Sequence, residues 1–165
     1  MKIDELYQEY GGLVYRFLLG LTNDELLAED LTQETFYQAI KSLENFQGNS
    51  KVSTWLCQIS KNLWRQQMAK NKQHKVTDEV LANYADGNPR PDEQLLHSEN
   101  KVRIYQIIHE LGETKKEVVL LRMTNDFSFK EIGDVFGKSE NWARVTFYRA
   151  KQKIVERMRQ DDNST

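Results

Sequence analysis

The sequence predicts an all-α protein of two small helical domains joined by a flexible linker, the second domain containing a helix-turn-helix. Three observations lead there. Apolar residues recur at three- and four-residue intervals in each apolar block, the spacing of one helix face. No segment alternates apolar and polar residues with the period of two that a half-buried strand needs. Both prolines of the 165-residue chain fall in one polar stretch, Asp86-Gly87-Asn88-Pro89-Arg90-Pro91. A helix cannot pass through it, because proline lacks the amide hydrogen and its ring clashes with the preceding turn.

The first helix is written in Ile3, Leu6, Tyr7, Tyr10, Leu13, Val14, Phe17, Leu18 and Leu21, one amphipathic stripe, although Gly11-Gly12 weakens its middle. Thr22-Asn23-Asp24 reads as a stop followed by a cap. A second helix, from about residue 24 to 44, gathers Ala28, Leu31, Ala39 and Leu43 on one side with Phe36 near the edge. Asp30, Gln33, Glu34, Tyr37 and Lys41 point the other way. Residues 45–50 break the pattern as a loop. A third helix over 53–70 buries Leu56, Ile59 and Leu63, with Trp55 at the margin, and its expected outer face carries Cys57, Lys61, Trp64 and Arg65. These elements make a first domain, 1–70. Periodicity then weakens, and 71–97 reads as a linker with a short helix near 79–84.

The second domain, 98–160, opens with Val102, Tyr105, Ile108 and Leu111, then Val118, Val119, Leu121 and Met123. Ser128 followed three residues later by Glu131 is a capping box. Phe136-Gly137-Lys138-Ser139 is a tight turn ending in another cap, and the last helix should run from Glu140 to about Met158. Residues 161–165 read as a disordered tail.

Composition excludes several function classes. Cys57 is the single cysteine, so no internal disulfide forms, and a reducing cytoplasm is the expected location. The N-terminus turns acidic at Asp4-Glu5 and lacks the basic-then-apolar order of a signal peptide. No apolar run is long enough to cross a bilayer, so direct membrane insertion is not expected. His74, His97 and His109 have no partner at metal-ligand spacing, and no phosphate loop or nucleophile elbow occurs. Neither catalysis nor a cofactor or metal is expected.

The formal charge is −2, low for a protein that grips DNA unaided, since neutralising phosphate supplies most of the affinity. Yet residues 138–159 hold Lys138, Arg144, Arg149, Lys151, Lys153, Arg157 and Arg159 against only Glu140 and Glu156. A basic stretch on an acidic chain implies DNA contact that is helped by a partner.

Two constellations carry that reading. In 128–151, Gly133 sits where only a small residue fits between two helices, Gly137 allows a left-handed turn and Ser139 caps the second helix. Ala143, Phe147, Ala150 and Ile154 make a narrow apolar stripe, and Asn141, Val145, Tyr148, Arg149 and Gln152 lie opposite, flanked by Arg144 and Lys151. That division suits a recognition helix in a major groove, though an ordinary helical hairpin with a charged outer face shares part of it. In the first block, Phe46 and Trp64 with Asn49, Lys51, Lys61 and Arg65 mix aromatics and bases, as a site for unstacked bases and phosphates would. The competing reading makes Phe46 a core plug and the charges plain surface.

Ala28-Glu29-Asp30-Leu31-Thr32-Gln33-Glu34-Thr35-Phe36, Phe46-Gln47-Gly48 and Ser53-Thr54-Trp55-Leu56 resemble the second conserved domain of extracytoplasmic-function sigma factors of bacterial RNA polymerase. Leu120-Leu121-Arg122, Ser128-Phe129-Lys130-Glu131-Ile132 and Tyr148-Arg149-Ala150-Lys151 resemble their fourth domain. The resemblance implies that the chain joins core polymerase and directs promoter-specific initiation. By position, Asp30, Gln33 and Glu34 would meet the clamp helices of the largest subunit, and the fourth domain would meet the flap of the second largest. Phe46, Gln47, Asn49, Lys51, Lys61, Asn62 and Arg65 would hold the −10 element, the 46–51 loop capturing a flipped base. Asn141, Arg144, Val145, Tyr148 and Arg149 would read the −35 element. The family also implies an anti-sigma factor, often anchored in a membrane.

The sequence departs from the family at Gly112, where proline is usual, at Lys138, usually apolar, and at Asn141-Trp142, usually a small Gly-Thr pair. The alternative reading, a helix-turn-helix regulator acting without polymerase, explains residues 98–159 but not the outward face of Asp30, Gln33 and Glu34. A helical adaptor with no nucleic-acid role leaves the basic face unexplained.

Overall fold

A computed structural model describes residues 2–71, 98–124 and 127–164. The described residues form seven α-helices and one 3-10 turn, with no strand. Helix α1 spans Ile3–Thr22, α2 Glu25–Ser42 and α3 Val52–Lys70, with the 3-10 turn at Leu43–Asn45. Helix α4 spans Ser98–Glu110, α5 Glu113–Met123, α6 Phe129–Phe136 and α7 Glu140–Asn163. The linker expected at 71–97, with its short helix near 79–84, lies outside the described residues from 72 onward.

Helix α1 runs through Gly11-Gly12 without a break. Gly11 is buried, with the ring of Tyr7 about one van der Waals contact from where a Cβ would stand, so the two residues fill one site together. The helix ends at Asn23, whose left-handed backbone (φ 53°) returns its N–H to the Leu19 carbonyl. Asp24 then caps α2 by accepting from the Leu27 amide at 3.1 Å. Val14, Phe17, Leu18 and Leu21 of α1 meet Ala28, Leu31, Phe36 and Ala39 of α2 and Leu56 of α3 in the buried core. In the second half, α4, α5 and α6 all pack on or beside α7, burying Ile108, Val118, Leu120, Leu121, Ile132, Val135, Ala143 and Ala150.

The two halves also pack against each other, α3 on α6 and α1 on α5, so their apolar residues join in one cluster. This overturns the expected outer face of α3. Cys57, Lys61 and Trp64 are all buried, at 0%, 7% and 1% exposure. The polar side of the helix is covered by a second unit that offers carboxylates and a carbonyl to its cations. The expected tail is corrected as well. Helix α7 continues to Asn163, and Arg103 of α4 pairs with Asp161 at 3.2 Å and with Asp162 at 3.4 Å.

Candidate nucleic-acid interface

Helices α6 and α7 are set by their caps and their turn. Ser128 accepts from the Glu131 amide at 3.1 Å while the Glu131 carboxylate accepts from the Ser128 amide at 3.3 Å, closing the capping box. Gly137 is left-handed (φ 65°), and Ser139 accepts from the Trp142 amide at 3.0 Å. A Cβ on Gly133 would stand 2.6 Å from the Lys138 carbonyl oxygen, so the turn folds back onto α6 only because that residue is glycine.

With Ala143 and Ala150 fully buried, the opposite side of α7 is presented outward. Asn141, Arg144, Val145, Tyr148 and Arg149 are all exposed. Arg144 reaches back to Glu140 at 3.1 Å and lies 5.4 Å from the centre of the Phe129 ring, and Tyr148 packs beside the same ring. Trp142 of the unusual Asn141-Trp142 start leans on Phe136, ring centres 5.2 Å apart, so its bulk faces inward and leaves Asn141 free on the surface. The five residues expected on this face therefore share it.

The residues expected around the first-block loop are brought to one region but not to one state. Phe46 stacks on Trp55 with ring centres 4.5 Å apart, half-buried, which anchors the loop. Gln47, Asn49 and Asn62 are exposed, the Asn49 amide donating to Gln47 at 3.4 Å. The three cations are engaged by the second half. Lys51 pairs with Glu131 at 3.5 Å. Lys61 donates to the Val135 carbonyl at 3.0 Å beneath the Phe136 ring. Arg65 donates through Nε and Nη2 to Glu117 Oε1, at 3.2 and 3.0 Å.

Glu117 is wholly buried, and burial pushes its carboxyl above the usual carboxylate range against the pull of Arg65. Burial, followed by the charge of Arg65, lowers the Lys61 ammonium. Nearby, Trp64 donates from Nε1 to Glu113 at 3.1 Å, and Lys116 bridges Glu113 and the Leu21 carbonyl at the C-terminal end of α1. None of Glu113, Lys116 and Glu117 was picked out from the sequence. Two acidic residues on one turn of α5, Glu113 and Glu117, were the available signal.

A third surface lies on α2. Asp30 and Gln33 are exposed and Glu34 is half-exposed, its Oε1 accepting from Gln38 at 2.8 Å. Leu26 (75% exposed), Tyr37 and Ile40 extend this face with apolar surface that the sequence reading left out, apart from Tyr37.

The family patterns described as Sigma-70 region 2 and Sigma-70, region 4 match residues 6–74 and 101–154. The sigma factor SigM of Bacillus subtilis, described as an ECF RNA polymerase sigma factor, is 32% identical over 156 residues, 93% of each chain. The chain belongs to the ECF sigma factor family. Among solved structures, it is similar to RpoE of Bartonella quintana in complex with the anti-sigma factor NepR (TM-score 0.69, 20% identity, 94% of this chain and 97% of that one). CnrH in complex with the cytosolic domain of CnrY gives TM-score 0.70 at 20% identity over 96% of this chain and 88% of that one. This ECF sigma factor is thus an alternative sigma factor for transcription initiation, with region 2 in α1–α3 and region 4 in α4–α7. No described helix is long and apolar enough to cross a membrane.

Proposed function

We propose that this sigma factor binds core RNA polymerase through the outward face of α2 and places two DNA-reading surfaces on promoter DNA. Asp30, Gln33 and Glu34 dock on the clamp helices of the largest subunit, with Leu26 and Ile40 adding apolar contact, and the second half meets the flap of the second largest. The domains divide at 1–70 and 98–160, the segment 71–97 linking them. Phe46, Gln47, Asn49, Lys51, Lys61, Asn62 and Arg65 hold the −10 element. Asn141, Arg144, Val145, Tyr148 and Arg149 read the −35 element in the major groove. An anti-sigma protein withholds the factor, in the cytoplasm or at the membrane face, until a signal releases it.

The single observation that carries this reading is the pairing, on one chain, of a helix-turn-helix with an exposed basic face and a separate acidic and apolar helix face. A regulator acting alone has no use for the second. Mixing the protein with core enzyme and genomic fragments should yield discrete start sites that share two upstream elements. Equal transcription with and without the protein would end the reading.

A further inference from the structure

Glu140 is an acid in a basic stretch, and it stands exposed on the side of α7 that the promoter reading turns toward DNA. Phosphate repels a carboxylate there, so Glu140 works against the affinity that the neighbouring cations supply. Stability does not account for it. Its pair with Arg144, Nη2 to Oε1 at 3.1 Å, leaves the two side chains about half in solvent, and exposed pairs of this kind contribute little. An acid in the first turn also complements the helix dipole, but that effect needs no partner at position 144.

What the pair does fix is direction. The Arg144 guanidinium also lies over the ring of Phe129, a residue of α6, 5.4 Å from its centre. That ring is itself held in place. The Arg122 guanidinium lies over it at 4.1 Å, with Nη1 donating to the Phe127 carbonyl at 2.8 Å, and Phe147 and Tyr148 of α7 pack beside it. A planar guanidinium laid on an aromatic ring and tied to a carboxylate has few directions left to point. We propose that Glu140 and Phe129 are positioning residues for promoter reading, which aim Arg144 at one base edge of the −35 element and touch no base themselves. Glu140 occupies a single N–H of Nη2, and the fork that remains can still donate to both O6 and N7 of a guanine. An arginine fixed beforehand loses less freedom on binding and reaches fewer wrong acceptors. Specificity at that base pair is then set partly from α6, outside the recognition helix. This rests on the reading that places Arg144 in the −35 groove.

The test binds polymerase holoenzyme, carrying each sigma variant, to a saturation library of −35 sequences. Two quantities are read: the base preference at the position that Arg144→Ala relaxes, and the affinity for duplexes whose −35 element is scrambled. Glu140→Ala should lower the preference about fivefold and raise the scrambled-duplex affinity about threefold, because a charge facing phosphate is gone. Loss of a merely structural acid would lower both together. Glu140→Gln keeps an acceptor for the guanidinium and drops the charge, so it should keep most of the preference while still raising the second affinity. Phe129→Leu, which fills the half-buried site without an aromatic face, should lower the preference alone. In an Arg144→Ala background neither Glu140→Ala nor Phe129→Leu should change the preference further. A preference unchanged in either variant, or a loss spread evenly over every −35 position, would overturn the positioning role while Arg144 stays a reader. If Arg144→Ala relaxes no position, the −35 assignment of Arg144 fails and the positioning role falls with it.

Discussion

Gly133 leaves no room for a side chain, and the atoms in the way are the carbonyl oxygens of Lys138 and Ser139, at 2.6 and 2.8 Å from a Cβ. Backbone cannot swing aside as a flexible side chain would, so Gly133→Ala should cost about 1–3 kcal/mol, the usual range for overpacking. Thermal unfolding checks this, and binding of a −35 duplex should fall with it because the turn sets the pitch of α7. An unchanged melting temperature would mean that the turn yields freely. Gly112 is held by conformation instead, at φ 88°, while proline is fixed near −65°. Gly112→Pro, the usual residue of the family, should therefore destabilise this chain. Gly112→Asn should destabilise it as well, because φ 88° with ψ 156° lies outside the left-handed helical region that Asn tolerates and is entered readily only by glycine. On α7 the two arginines should differ in kind. On the proposed reading Arg144, near the helix start and beside the exposed Asn141, would make a bidentate contact to a guanine edge, worth about 1–3 kcal/mol of discrimination. Arg149 lies more than a turn further on, which on the same reading would bring it nearer the groove wall and its phosphates. Arg144→Ala should relax preference at one or two −35 positions. Arg149→Ala should weaken all sequences and flatten the salt dependence. A saturation library of −35 variants at two salt concentrations separates the two.

At the scale of elements, α2 presents Leu26 with 75% of its surface in water beside Asp30. Burying a leucine contributes about 1.5–3 kcal/mol. Leu26→Ser, and separately Asp30→Ala with Glu34→Ala, should each lower core affinity tenfold or so while leaving the melting temperature unchanged. Unchanged affinity would move the contact off this face. The same elements mark what local pattern can and cannot tell. Helices α1 and α2 are legible because a 3.6-residue stripe and the Asn23-Asp24 stop and cap are written into adjacent residues. The helix-turn-helix is legible for the same reason, through Ser128, Gly133, Gly137 and Ser139. Helix α3 is half legible. Its periodicity separates Leu56 from Lys61, but nothing local says that a carbonyl and two carboxylates from residues 113–135 will bond Lys61, Trp64 and Arg65 and bury the first two. The end of α7 fails likewise. Asp161 and Asp162 read as a polar tail because the cation that pairs with them, Arg103, is some sixty residues away. The exposed residues of α7 and of the 46–51 loop were found by residue type, which survives whatever packs behind them.

At the scale of the whole molecule, the seam between the halves should respond to pH through the two buried charges at its centre. Glu117 is raised by burial, with Arg65 opposing, and Lys61 is lowered by burial and by Arg65. Other ionisable groups face the same seam: Glu113 and Lys116 on α5, His109 at the end of α4 against Asn23, and the exposed Lys51–Glu131 pair. In the open chain Glu117 meets water and titrates near the ordinary 4.5; in the closed chain it holds its proton to higher pH. The contribution of Glu117 to closure is therefore fully present below the ordinary value and is lost as pH rises through the raised one. Lys61 works from the other side. Its burial opposes closure while the ammonium is charged, and that opposition fades as pH rises through its lowered value. Shielding of Trp64 from solvent should accordingly strengthen as pH falls through the raised value toward the ordinary carboxylate one. Glu117→Gln, neutral throughout, should abolish that slope and hold the acid-side shielding at all pH values. A slope that survives in Glu117→Gln would assign it to another group at the seam.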